Sequence, residues 1–474
     1  MAEKSTVYAA DGVSCGAVLN FMKKCSETGT DIHSFEIIKD GEIKARIAPK
    51  PYSFDYKQQL YSLSKSFSST AIGFLIDEGK IGLEDKIVDI FSEKCPEKVG
   101  ENMKKMRLKN VLSLNTGHKE CQLEKIRKTA DPVKSFLETE PELEPGTHFC
   151  YNNAATYMLS AIVNKCTGMT MFDFLSVKLF KPLGIEGVYW DAFPDGNSQG
   201  AVGLHASCDD LIKLGLLYLN KGVYNGKRLL SEEWVENASK FWSDNSSNGT
   251  PDWTSGYGFQ FWLNAKEGFR GDGAFGQLCV ILPSKNMVVA TEVYSSCSMQ
   301  EELNYIYDMS EELFDESDIS MEELSEYVDS YNKPKIYKAA KADIFGKTYH
   351  MKKNAFGITM LEFKDENDAI VLEFSNGSSW QKMNFGKNCF KESRVMLKKF
   401  KPTLEDLAGT EKEENVHFAA YCTFEDETLK LYFNYLDCPH VEEYALKLED
   451  KKIIMKKVNA PDYCFNEDIE GEEI

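Results

Sequence analysis

The chain has 474 residues, 42% apolar and 27% charged, with 75 acidic against 55 basic side chains and a net charge of −20. That length calls for roughly two or three domains, and the composition supplies a core and excludes global disorder. The acidic balance excludes nucleic acid and anionic membrane surfaces as partners, because no positive excess is available to displace counterions.

No stretch approaches the roughly 18 consecutive apolar residues of a membrane span. The opening Met-Ala-Glu-Lys-Ser-Thr-Val lacks the basic and apolar regions of a signal peptide. The 13 cysteines are odd in number, scattered, and never spaced Cys-x-x-Cys. Such usage fits a reduced cytosol, so a cytoplasmic location is expected. The 7 histidines form no cluster with zinc-ligand spacing, and neither a metal nor a cofactor is expected.

In chain order, a helix is predicted over 13–28, with Ala17, Val18, Phe21 and Met22 on one side. Strands over 33–39 and 42–47 follow, joined by Asp40-Gly41, a two-residue hairpin signal. A largely apolar helix runs from 60 to about 78 and ends at Gly79. Helical spacing recurs at 100–118. A proline-rich loop, 140–153, feeds a helix over 154–165, and further helices are predicted at 171–180, 208–221 and 299–314. Strands are expected at 256–263, 278–282 and 287–293. Strand pairs at both ends with helices between suggest one sheet completed by both ends of the segment, with a second, helical lobe.

Composition changes at about residue 315. An acidic, helix-prone linker (315–335) ends near Lys333-Pro334-Lys335, and beyond it apolar residues recur with period two. Leu429, Leu431, Phe433 and Tyr435 fall on one strand face. The domain reading is a first domain over 1–314, an antiparallel all-β barrel or sandwich over 336–465, and an acidic, disordered tail over 466–474.

Within the apolar helix, Ser62 and Lys65 are three apart and share a face, an arrangement that can activate a nucleophile. The spacing alone carries little weight, since Ser330–Lys333 repeats it inside the linker, and Tyr432-Phe433-Asn434 repeats the Tyr-x-Asn of Tyr151-Asn152-Asn153. The plainer alternatives are a capping role for Ser62, a solvated Lys65, a core Tyr151 and a capping Asn153. Cys150 has no histidine placed to activate it and reads as a buried thiol, and His148 reads as a loop residue.

Order and context decide between these readings. Tyr-Ser-Leu-Ser-Lys-Ser-Phe (61–67), Leu-Ser-Leu-Asn-Thr-Gly-His (112–118), Glu-Pro-Gly-Thr-His-Phe-Cys-Tyr-Asn-Asn (144–153), Phe-Lys-Pro-Leu-Gly-Ile (180–185), Gly-Tyr-Gly-Phe-Gln-Phe-Trp (256–262) and Gly-Asp-Gly-Ala-Phe-Gly-Gln (271–277) follow one another in register. Together they resemble the serine β-lactamase-like hydrolases: class C β-lactamases, D-alanyl-D-alanine peptidases, related esterases and 6-aminohexanoate-oligomer hydrolases. The resemblance covers about residues 10–313. It implies an α/β (α+β) β-lactamase/transpeptidase-like catalytic domain with an antiparallel sheet and a helical lobe.

The resemblance also assigns roles. Ser62 would be acylated, Lys65 would be its base, and Tyr151 would pass a proton to the leaving group. Asn153 would hold side chains or substrate, and the backbone N–H groups of Ser62 and Ala274 would form the oxyanion hole. The third motif departs from the family. Where many relatives carry Lys-Thr-Gly or a histidine triplet, this chain has Gly271-Asp272-Gly273. An aspartate repels the carboxylate of β-lactams and of terminal D-alanine. Asp272 is left to contact Lys65, an amine-bearing substrate or solvent, and Arg270 is expected to point away from the site. The expected function is hydrolysis of a small-molecule ester or amide through an acyl-enzyme. The alternatives are a β-lactamase or D-alanyl-D-alanine peptidase, and a non-catalytic binding protein using the C-terminal β domain. Oligomeric state is left open.

Overall fold

The Asp40-Gly41 signal is a hairpin turn with both residues at positive φ (55° and 78°), the geometry that matches the twist of the flanking strands. It joins β2 and β3 of a seven-stranded sheet, in a computed structural model that describes residues 4–295, 298–340, 343–354, 356–398, 413–459 and 468–474. The sheet contains β1 (Thr6–Ala9), β2 (Thr30–Lys39), β3 (Glu42–Ala48), β4 (Trp262–Leu263), β5 (Phe269–Gly273), β6 (Gln277–Leu282) and β7 (Met287–Ser295). Its order is β1-β3-β2-β7-β6-β5-β4, so late strands pair with early ones, as the pattern at the two ends predicted. The β7–β2 seam aligns Val289 with Ile37 and Thr291 with Phe35. Helices α1 (Cys15–Glu27), α2 (Ser64–Asp77), α3 (Asn153–Thr167), α4 (Cys208–Leu219) and α5 (Met299–Glu312) accompany it. The chain divides into two compact units, and this one comprises Tyr8–Arg46 and Gln59–Asp318.

Residues 256–263 are not one strand. Only Trp262–Leu263 pair regularly, and Gln260 adopts a left-handed φ of 62°. Its side chain accounts for the break: Gln260 Nε2 donates to Leu112 O (2.8 Å) and its Oε1 accepts from Thr156 Oγ1 (2.8 Å). A buried amide that joins three segments cannot also follow a flat pleat.

The second unit holds Ile47–Gln58 and the described residues of Met1–Val7 and Ile319–Ile474. Its strands are β8 (Thr348–Met351), β9 (Met360–Asp365), β10 (Ala369–Ser375), β11 (Trp380–Lys387), β12 (Lys391–Lys398), β13 (Glu413–Glu425), β14 (Thr428–Tyr435), β15 (Val441–Glu449), β16 (Lys452–Asn459) and β17 (Ile469–Glu473). Nine of them close into a barrel where β11 meets β13 in parallel at Gly386–Tyr421 and Lys387–Cys422, and β12 extends beside β13. The face carrying Leu429, Leu431, Phe433 and Tyr435 fills the interior. Closure explains the choice of barrel over sandwich, since it removes unpaired edges. The acidic end is not disordered as expected: Ile469–Glu473 is a strand paired to both β16 and β8, with Ile469 in the core. Its alternation is masked in sequence by Glu470, Glu472 and Glu473, which are not buried.

Candidate active site

Helix α2 is buried from Ser64 through Leu75, so the usual polar face is absent and its small side chains must find partners inside. Ser66 Oγ donates to Gln260 O (3.0 Å), Ser68 Oγ to Gly200 O (2.7 Å) and Thr70 Oγ1 to Ser66 O (2.8 Å). Gly73 is required by close packing, because a Cβ there would lie 2.5 Å from Trp234 Nε1. Leu204 brackets the helix start: its carbonyl accepts from Leu60 N (2.8 Å) and its N–H donates to Ser64 Oγ (3.1 Å).

Ser62 therefore lies not in the α-helix but in the 3-10 turn Tyr61–Leu63 just before it, partly exposed. It is not a helix cap. Tyr61, the preceding residue, has φ of 47°, a conformation costing a bulky side chain roughly 1–2 kcal/mol. Phe275, also left-handed at φ 68°, packs its ring edge-on against Tyr61 at 5.1 Å. Next to these two residues in the chain stand Ser62 and Ala274, and among the described residues neither backbone N–H has a backbone partner. Gly273 makes the approach possible, since a Cβ there would sit 2.1 Å from Leu60 O.

Lys65 Nζ donates to Ser62 Oγ at 3.1 Å and to Ala201 O at 2.9 Å. It is 1% exposed and pairs with no carboxylate among the described residues, so burial lowers its amine from 10.5 to about 7, with nearby Cys121 and Asp272 opposing the drop. The ammonium lies over the Tyr151 ring, 4.7 Å from its centroid. Burial raises the Tyr151 phenol above its usual range, and its contact with Ser62 pulls the other way. Tyr151 is fixed by stacking on Trp262, with centroids 5.6 Å apart. Ser62, Lys65 and Tyr151 thus converge. The Ser330–Lys333 repeat does not, since both residues are exposed.

Asn153 is the first residue of α3, and the cap is its neighbour: Asn152 Oδ1 accepts from Ala154 N (3.0 Å) and Gln122 N (3.1 Å). Asn153 Oδ1 is buried with no partner among the described residues, and the side chain makes no hydrogen bond to Ser62 or Lys65. Cys150 is half-buried, its thiol pushed up to about 11 by burial, and His148 is exposed.

In the third motif, Arg270, expected to point away from the site, lies beside Asp272. Residues two apart on a strand share a face, and Arg270 Nε donates to Asp272 Oδ2 at 2.9 Å. Arg270 is fully buried, donates to Asn264 Oδ1 (3.1 Å), lies 3.9 Å from Asp252, and faces Trp253 at 4.5 Å. Asp272 is largely buried and makes no hydrogen bond to Lys65; burial raises its carboxyl while Arg270 lowers it. Sequence reasoning missed three supports: Gln260, Trp262 and Arg270. Gln260 and Trp262 both lie in the 256–262 landmark, and Arg270 lies just before the 271–277 one. Among the described residues there is no group of three or more His, Cys, Asp or Glu able to hold a metal, and no helix is long and apolar enough to cross a membrane.

Comparison with known proteins agrees with this architecture. The chain is 27% identical to the 6-aminohexanoate-dimer hydrolase of Paenarthrobacter ureafaciens over 235 residues, 45% of this chain and 58% of that one. The match thus spans little more than half of that relative's length. Among solved structures it is similar to a penicillin-binding protein homologue from Caulobacter crescentus (TM-score 0.53, 15% identity, 65% of this chain and 100% of that one). It is also similar to the octameric penicillin-binding protein homologue from Pyrococcus abyssi (TM-score 0.51, 15% identity, 96% and 99%). At these identities the structural likeness speaks for the fold alone. The family model that matches is Beta-lactamase, over residues 34–294, more than half of the sequence. By that match, and with the fold beneath it, the chain belongs to the beta-lactamase family of serine hydrolases.

Proposed function

We propose that the protein cleaves an ester or amide bond through an acyl-enzyme on Ser62. The observation that carries this reading is Lys65, a buried amine 3.1 Å from Ser62 Oγ with no carboxylate partner among the described residues, so that burial lowers it to about 7. Neutral Lys65 takes the Ser62 proton as Oγ attacks the substrate carbonyl. The charge that develops on the carbonyl oxygen meets the N–H groups of Ser62 and Ala274, each such donor being worth roughly 3 kcal/mol in the transition state. Tyr151, kept protonated by burial, relays a proton to the leaving group. Water then attacks the acyl-enzyme by the reverse relay. Asn153, whose Oδ1 has no partner among the described residues, holds neighbouring side chains or the substrate by hydrogen bonds.

The name of the 6-aminohexanoate-dimer hydrolase extends the reading to amides. The Asp272 carboxylate weighs against substrates that present a carboxylate of their own at the third motif, as β-lactams and terminal D-alanine do. The eleven free cysteines among the described residues fit a reducing, cytoplasmic setting.

A fluorophosphonate probe tests the proposal. The expected result is a mass adduct on the Ser62 peptide of the wild type and none on Ser62→Ala. An unlabelled wild type, or equal labelling of the variant, overturns it.

A further inference from the structure

Asp272 is 9% exposed, yet only one of its oxygens is used. Oδ2 is fixed by Arg270 Nε, whereas Oδ1 makes no hydrogen bond among the described residues and retains access to solvent. The guanidinium cannot swing out to meet a ligand, being fully buried between Asp272, Asn264 and the Trp253 ring. Asp252, the second carboxylate near Arg270, is already occupied: it accepts from Tyr307 Oη (2.6 Å), Gln300 Nε2 (2.6 Å) and Ala265 N (2.8 Å). Two carboxylates share one guanidinium, so a negative charge is left over, and the only unbonded oxygen of Asp272 is where a partner can reach it.

Its position ties that charge to the reacting centre. Strand β4 covers β5 only at Phe269 and Arg270, so Gly271–Gly273 form an open edge. The Trp262 ring links the Asp272 face to the site, since it stacks on Tyr151 at 5.6 Å and lies 5.9 Å from the guanidinium that holds Asp272. Gly271 and Gly273, on the opposite face by alternation, let the strand lie against the nucleophile turn, where a Cβ on Gly271 would meet Ser66 Oγ at 2.9 Å. Asp272 also acts electrostatically on both Lys65 and Tyr151.

Building on the acyl-enzyme reading of Ser62, we infer that Asp272 is a specificity-determining residue that receives an ammonium group, so that the ester or amide cleaved carries a free primary amine. An N⁺–H···O⁻ bond to a carboxylate oxygen held rigid by Arg270 is among the stronger hydrogen bonds available in a half-dry site. A neutral isostere leaves the carboxylate oxygen unpaired, and an anionic one is repelled.

The test uses the full chain and matched esters. p-Nitrophenyl esters of β-alanine, N-acetyl-β-alanine and succinate place a cation, a neutral group or an anion on the acyl side. Tyramine O-acetate against p-cresyl acetate places the cation on the leaving side. The expected result is a kcat/KM ratio of cationic to neutral substrate of roughly tenfold or more on one side, with the succinate ester poorest. That ratio should collapse toward one in Asp272→Asn and shrink in high salt. Should Asp272→Asn fail to fold, Asp272→Ser and the wild-type ratio itself carry the same reading. A wild-type ratio near one on both sides, or a variant in which both rates fall together with the ratio kept, overturns the inference. Fluorophosphonate labelling separates the two claims. If Ser62 is labelled and no cation preference is found, this inference alone falls; if Ser62 is not labelled, the hydrolase reading falls with it.

Discussion

Each of the two units buries a lysine beside a tyrosine, and the two lysines meet opposite fates. In the barrel, Lys457 donates to Glu442 Oε1 at 2.5 Å, while Tyr435 and Tyr444 donate to Oε2 at 2.8 and 3.0 Å. Glu442 is 1% exposed and every part of that cluster is paired. In the other unit, Lys65 lies under Tyr151 with only a hydroxyl and a carbonyl as acceptors. A buried ammonium matched to a carboxylate is a structural ion pair; without one, burial lowers the amine toward neutral pH. The difference is one carboxylate.

The sharpest break of that comparison replaces each lysine by methionine. Lys65→Met should slow Ser62 labelling on the order of 1,000-fold, while raising thermal stability because a desolvated amine is gone. Lys457→Met should leave labelling unchanged and destabilise the barrel by about 3–5 kcal/mol, since Glu442 is then buried without its cation. Labelling rates and melting curves read both, and equal loss of stability in the two variants would contradict the contrast. Arg270→Met is a hybrid case: it strands Asp252 and Asp272, so destabilisation of about 3 kcal/mol is expected, measurable by denaturant titration.

The pH dependence sharpens the contrast with smaller effects. Lys65 accepts a proton only when neutral, so kcat/KM should rise with pH through about 7. Asp272 favours the charged form of Lys65, so Asp272→Asn should move that limb to lower pH, by less than about one unit. Stability follows a related sign. The folded-state value of Lys65 is lowered, so between about 7 and 10.5 the unfolded chain holds the extra proton, and this site's contribution to stability improves as pH rises. The stability gain of Lys65→Met should therefore shrink across that window.

Much of the site was legible because its parts are local. The Ser62–Lys65 spacing needs only helical geometry, and the order of the six landmarks needs no structure. What failed did so for particular reasons. Gln260 broke an expected strand because its amide answers to Leu112 and Thr156, which lie far away in the chain. Arg270 lies beside Asp272 through the period of two of a strand, which is itself a sequence property, but the buried partners that hold its guanidinium there, Asn264 and Trp253, come from other segments. The acidic C-terminus looked disordered because its outward glutamates hide Ile469, whose burial depends on neighbours contributed by β8 and β16.

By itself, the sequence determined which residues can do chemistry and roughly where the elements lie, since helix spacing, strand alternation and the Asp40-Gly41 turn are set by near neighbours. Only the tertiary structure decided which of those residues do not share their charge. Whether a buried lysine is left without a carboxylate, as Lys65 is among the described residues, or is ion-paired, as Lys457 is, turns on burial and on which carboxylate the fold brings within reach. Burial and partner distance are properties of segments that meet in space, and no spacing along the chain encodes them.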